Sequence, residues 1–202
     1  DMKWDVHVNQ LKNVLLSRLY LIRHLTTLIP RSCMKTIAEG LFNSTLRYGI
    51  CLFLRPCPNI TDPASNALTS IQTIQNDMVR SVAGVFRRDK VNMANLRDSL
   101  GFLSVNQLLC QTIITEAQKI INYNTVPTIK NTLIDTGSSS IVTRSRTISA
   151  VRQPLVRCRK TEGFSTYAAK LLNALPEKIR KMDTSKPAFK TELKRWIKTY
   201  IN

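Results

Sequence analysis

The chain is poor in the residues and motifs on which most enzyme chemistry depends. Glycine occurs six times in 202 residues, never as the closely spaced glycines of a phosphate-cradling loop, so Walker and Rossmann nucleotide motifs are excluded. The two histidines, His7 and His24, have no carboxylate and nucleophile at motif spacing. With no Gly-x-Ser-x-Gly either, the hydrolase triads are excluded. Only 13 acidic residues are present. Among them Asp62, Asp77, Asp89, Asp98, Asp135 and Asp183 are scattered and form no pair that would hold two magnesium ions for phosphoryl or nucleotidyl transfer. Five cysteines, Cys33, Cys51, Cys57, Cys110 and Cys158, include no CxxC pair and lack the spacing of a structural zinc site. They read as reduced thiols of an intracellular protein, in nucleus or cytoplasm, with a Cys51 to Cys57 disulfide as the alternative. No run of about 18 uninterrupted apolar residues occurs, which argues against a membrane-spanning helix. Asn43-Ser-Thr and Asn59-Ile-Thr match the glycosylation sequon, but no signal peptide accompanies them and both read as chance. The chain opens at Asp1 rather than Met, as expected of a fragment of something longer.

What the sequence has in abundance is positive charge. Thirty Lys and Arg against 13 Asp and Glu give a net charge of +17 and a pI near 10.1. The charge is uneven: from Ile141 to Asn202 there are 15 basic and 4 acidic residues, a net +11, while the other 140 residues carry a net +6. Such a balance points to a polyanion, nucleic acid first and an anionic membrane surface second.

The apolar residues follow a helical period. From Val6 to Leu28, Val8, Leu11, Leu15, Leu19, Ile22, Leu25 and Leu28 share an arc with Trp4. Pro30 to Leu54 reads as a second, more apolar rod, lying along the first as a hairpin. Its narrow polar arc holds Lys35, Thr36, Glu39, Asn43 and Arg47. Arg55 to Ser65, with Pro56, Pro58 and Pro63, is a loop. Ala64 to Gly84 restores the period through Leu68, Ile71, Ile74, Met78 and Val82, with Gly84 at its left-handed end. Asn92 caps a short helix ending at Gly101, and Ser104 with Gln107 makes a capping box for Val105 to Tyr123. The period is lost from Asn124 to Thr161. Ser165, Pro176 and Ser185 with Pro187 mark further short helices, the last with Phe189, Leu193, Trp196, Ile197 and Tyr200 on one side. The expected fold is all-α: a bundle of about five helices over residues 1–123, an irregular basic linker over 124–162 and a short C-terminal helical element over 163–202.

Several of these segments match a known pattern in order. Trp4 with His7 and Val8 looks like a "W..H(I/V)" helix start. Leu41-Phe42-Asn43-Ser44 with Leu46-Arg47-Tyr48-Gly49 is similar to "LYNS…L.YG". Ile71-Gln72, Gln75-Asn76, Arg80 and Gly84 resemble "LQ..QN…R…G". Leu96-Arg97-Asp98-Ser99-Leu100-Gly101 with Leu103-Ser104-Val105 resembles "LR.ELG.LSV". Thr143-Arg144-Ser145, Ser165, Ala168, Leu171-Leu172-Asn173-Ala174-Leu175-Pro176 and Phe189-Lys190 resemble "TRS…SF…A..LWN.LP…FK". Together they resemble the C-terminal region of reverse transcriptases of non-LTR (LINE-like) retrotransposons, the thumb and post-thumb part that follows the catalytic palm. Leu172 stands where that family has Trp, and Phe53-Leu54 where it often has Trp-Gly.

The resemblance implies a non-catalytic part of an RNA-directed DNA polymerase that grips an RNA template and DNA primer through phosphate contacts. The partners it implies are RNA and DNA, as an RNA–DNA hybrid, and an upstream palm domain. Neither a membrane nor a small-molecule substrate is among them. As an isolated chain it is no enzyme and needs no cofactor, magnesium being expected only in the upstream palm. Charge and position nominate Lys12, Arg23, Arg47, Arg80, Arg87 and Arg88 on the bundle, and Arg144, Arg146, Arg157, Arg159 and Lys160 in the tail. The alternative is a basic helical protein-interaction module derived from such an element, with no polymerase role.

Overall fold

Val8, Leu11, Leu15, Leu19 and Ile22, spaced by three and four, are the buried face of α1 (Asp5–Leu25). The computed structural model of the chain describes residues 4–56, 65–133, 151 and 163–201. Among them every regular element is helical and none is a strand, so the fold is all-α. The chain divides into two compact units, Asp1–Leu109 and Cys110–Asn202.

In the first unit α1 ends three residues before the expected Leu28. The Thr26 and Thr27 hydroxyls bond the Arg23 and His24 carbonyls, both at 2.7 Å, competing with a further turn. Leu28 is therefore exposed at 67%. The expected rod from Pro30 to Leu54 is not continuous. It comprises α2 (Arg31–Ala38), a π-helical turn (Glu39–Asn43), α3 (Ser44–Arg47) and the single turn α4 (Ile50–Phe53). The cause lies in the spacing of its buried residues Met34, Ala38, Phe42, Leu46 and Ile50. Steps of four drift about 40° each around a helix of 3.6 residues per turn, and a wider π turn takes up the drift. Tyr48 is extended and Gly49 left-handed at φ 66°, which breaks the helix before α4.

The π turn also overturns the expected polar arc. Asn43 is fully buried, whereas Glu39 and Arg47 stay at the surface, paired at 3.7 Å across two turns. Burial also leaves the Asn43 sequon inaccessible in this fold.

α5 (Asn66–Ala83) starts at Ser65, whose hydroxyl accepts the Leu68 N–H at 3.2 Å, and ends at the left-handed Gly84. It is the main partner of α1, ahead of α2, so the expected hairpin of the first two helices is secondary to an α1–α5 pair. α6 (Met93–Leu100) is capped by Asn92 and closed by Gly101. The capping box before α7 (Val105–Tyr123) is present in both directions, Gln107 N–H to Ser104 Oγ at 3.2 Å and Ser104 N–H to Gln107 Oε1 at 3.0 Å.

One polar network ties these pieces together. The Gln75 amide nitrogen donates to Asn43 Oδ1 at 3.3 Å and to the Leu103 carbonyl at 3.1 Å, while Gln75 Oε1 accepts from Gln72 Nε2 at 3.0 Å. Gln72 also bonds Asn76 Oδ1 at 2.9 Å and takes the Val105 N–H at 2.8 Å. Arg97 closes on Asn76 at 2.8 Å.

In the second unit, Asn124 is left-handed at φ 53° after α7. The segment from Asn124, aperiodic in sequence, then forms α8 (Pro127–Leu133), with Pro127 at its first position and Leu133 buried. Seven residues are too few for a period to show. α9 (Phe164–Ala174) begins at Gly163 without a side-chain cap, so the cap expected of Ser165 does not form. The Thr166 N–H bonds the Gly163 carbonyl instead, at 3.1 Å.

Asn173 clasps the Val151 backbone in both directions, at 3.1 and 2.9 Å. Pro176 stands just before α10 (Glu177–Arg180), and Arg180 bonds the Asn173 and Leu175 carbonyls at 3.3 and 2.9 Å. Before α11 (Pro187–Tyr200) it is the Asp183 carboxylate that accepts a backbone N–H, that of Ser185, at 2.9 Å. Phe189, Leu193 and Ile197 are buried, but Tyr200 is 46% exposed, stacked on Trp196 at 4.6 Å.

Gln75→Ala leaves the Asn43 and Leu103 acceptors and a Gln72 donor unmet in the core. We expect a loss of about 3 kcal/mol in urea denaturation. A loss below about 0.5 kcal/mol, the size of an ordinary surface change, would show that the network is dispensable.

Candidate functional site

Asp77 is the one acidic side chain among the described buried residues of the first unit, 6% exposed on α5. Arg80 one turn on reaches it at 3.4 Å. Arg87, from the loop after Gly84, grips it with a fork: Nε to Oδ1 at 2.9 Å, and a second short bond from Nη2 to Oδ2. Hydrogen bonding from Arg87 holds the carboxyl below its usual 3.8 against the opposing effect of burial, and the charges of Arg87, Arg23 and Arg80 lower it further.

Around this ion pair opens a cleft of about 640 Å³, lined by Arg23, Arg31, Arg80 and Arg87 together with Thr26, Thr27, Ser81, Gly84, Val85 and Phe86. Helix ends explain why arginines gather there. Arg23 and Arg80 occupy the last turns of α1 and α5, where a cation meets the negative end of the helix dipole. Arg31 opens α2, the end its own helix disfavours, and its guanidinium instead donates to the Ala83 carbonyl at 3.3 Å, at the end of α5. Gly84, at φ 73°, makes this approach possible, because a Cβ there would run into the Arg31 guanidinium. Four arginines from separate elements therefore line one cleft, and two of them, Arg80 and Arg87, are paired with Asp77.

The cleft brings together three of the nominated residues, Arg23, Arg80 and Arg87. Arg88 lies beside it, over the Phe86 ring at 5.0 Å. Lys12, half-buried on α1, and Arg47, paired with Glu39, are not part of it. Arg144, Arg146, Arg157, Arg159 and Lys160 lie outside the described residues. Sequence reasoning missed Arg31 and the use of Asp77. The signals were a cation at the first position of a helix and a lone carboxylate three residues before an arginine.

Among the described residues no group of three or more His, Cys, Asp or Glu could hold a metal ion. No helix among them is long and apolar enough to cross a membrane. The described residues form an all-helical fold with an arginine-lined cleft, in a strongly basic chain. The chain matches no family model, no curated protein and no solved structure.

Because the Asp77 pKa is depressed in the folded state, its contribution to stability is present above about pH 4 and is lost as pH falls through the lowered value. Asp77→Asn should cost about 1–2 kcal/mol at pH 7. The gap between wild type and variant should narrow by pH 3, read from urea denaturation at both pH values. An equal gap at both would remove the ion pair from the account.

Proposed function

We propose that the chain grips nucleic acid through sequence-independent phosphate contacts, as the non-catalytic thumb and post-thumb part of a retrotransposon-type RNA-directed DNA polymerase. The observation that carries the phosphate contact is the cleft: Arg23, Arg31, Arg80 and Arg87 converge with a single acidic partner. Guanidinium forks match phosphate oxygens, and a surplus of them in a hollow is an anion site before it is anything else. The net +17 adds long-range attraction that brings a polyanion to the cleft. The order of quoted motifs is what supports the polymerase context. Under this reading RNA–DNA hybrid is the ligand, an upstream palm supplies the catalytic metal, and the tail arginines from Arg144 to Arg159 extend the contact.

Binding carried by phosphates releases counterions, so affinity falls with salt by about 0.9 logarithmic units per contact. Fluorescence anisotropy on an RNA–DNA hybrid should give a log–log slope of about −3 or steeper, similar for unrelated sequences. Arg23→Gln with Arg31→Gln should reduce that slope by about 2. A slope near zero, or no binding at low salt, would leave the protein-interaction module as the better account.

A further inference from the structure

The cleft holds more positive charge than an internal phosphodiester needs. Four guanidinium groups and Asp77 leave +3. The C-terminal ends of α1 and α5 each subtract roughly 0.5 and the start of α2 returns about as much, so the surplus is between about +2 and +3. A diester carries one charge and continues on both sides. A phosphate monoester carries about −1.5 to −2 and offers three acceptor oxygens, which suits donors that converge from several elements onto one hollow. Arg87 can take part while it holds Asp77: 70% of its side chain is exposed, and its fork uses two of the five N–H donors of a guanidinium.

A second, independent feature stands at the rim. Phe86, which lines the cleft, is 64% exposed. Its loop is held by its own backbone N–H to Asp89 Oδ2 at 2.7 Å and by the Asp89 N–H to the Phe86 carbonyl at 3.1 Å. Arg88 lies against the ring at 5.0 Å. An exposed aromatic ring on a loop of defined backbone, beside a cluster of arginines and with Arg88 close by, offers a stacking surface for a base. A volume of about 640 Å³ has the size of a pocket for one small ligand, a single nucleotide unit and not a duplex.

We infer that the cleft is a pocket for the phosphate monoester at the end of a nucleic-acid strand, with the terminal base against Phe86. This deepens the phosphate-grip reading and rests on it. The pocket sets where a strand ends on the protein, while contacts elsewhere hold the remainder of its length.

The test is anisotropy of the full chain with one short, internally labelled DNA strand in three forms: 5′-phosphorylated, 3′-phosphorylated and hydroxyl at both ends. A phosphorylated end should bind about tenfold more tightly than the hydroxyl form, the effect of one charge-assisted hydrogen bond. Phe86→Leu should shrink that preference while the melting temperature stays near wild type and hydroxyl-ended strand still binds, and Arg23→Gln should weaken the phosphorylated form more than the hydroxyl form. Equal affinity for all three forms would overturn the end pocket and leave the phosphate grip standing. Absence of binding to any form would remove both. Displacement of the phosphorylated strand by an equal concentration of free nucleoside monophosphate would overturn the strand end as ligand in favour of a mononucleotide. Tighter binding of a phosphoserine peptide than of either phosphorylated strand would overturn the assignment to nucleic acid.

Discussion

Gln75 is fully buried, and its amide must find partners or destabilise the core around it. It does so by reaching Asn43 on the π turn, Leu103 before α7 and Gln72 on its own helix. Gln72 and Asn76 continue the chain of bonds to Val105 and Arg97. The Gln75 and Gln72 amide nitrogens each donate to two acceptors, so the geometry of four segments is set jointly. Leu and Ile contacts supply most of the burial energy in such a bundle, but they tolerate sliding and rotation. The amide network does not, and with the α1–α5 packing it fixes where α5 ends and thus where Arg80, Gly84 and Arg87 stand.

The network also changes the meaning of the motifs. Asn43, Gln72, Gln75, Asn76, Arg97 and Val105 all belong to segments that carry the resemblance to retrotransposon polymerases, and all of them meet in this network. What those motifs encode here is a way of locking helices together. The cleft arginines belong to a different layer, recruited by helix ends and by the space a glycine leaves. Asp77 keeps Arg87 and Arg80 oriented at the cost of occupying them, the balance expected of a site that must be ordered before its ligand arrives.

Much of the fold was legible because its signals are local. Asn92, Gly84, Gly101 and the Ser104–Gln107 box each act within a few residues, and each appears where the chemistry of caps places it. The misreadings involve choices made over longer range or by the backbone itself. A helical wheel assumes one pitch, so it put Asn43 beside Glu39 and Arg47, and only the π turn separates them. Gly49 carries no mark that distinguishes a break from a tolerated helical glycine. Ser165 had the composition of a cap but not its position, because Gly163 starts the helix. Of the site, Arg23, Arg80 and Arg87 were nominated for charge alone. Their convergence depends on α1 lying against α5, which no spacing in the sequence announces.

The central claim is that nucleic-acid phosphates bind in this cleft and not merely on a basic surface. The direct measurement is an arginine-selective NMR spectrum, following the Nε–Hε signals as RNA–DNA hybrid is added. The account predicts that the Arg23, Arg31, Arg80 and Arg87 signals move together and return when salt is raised. If the complex forms while those four signals stay in place and only other arginines respond, the cleft is not the binding site.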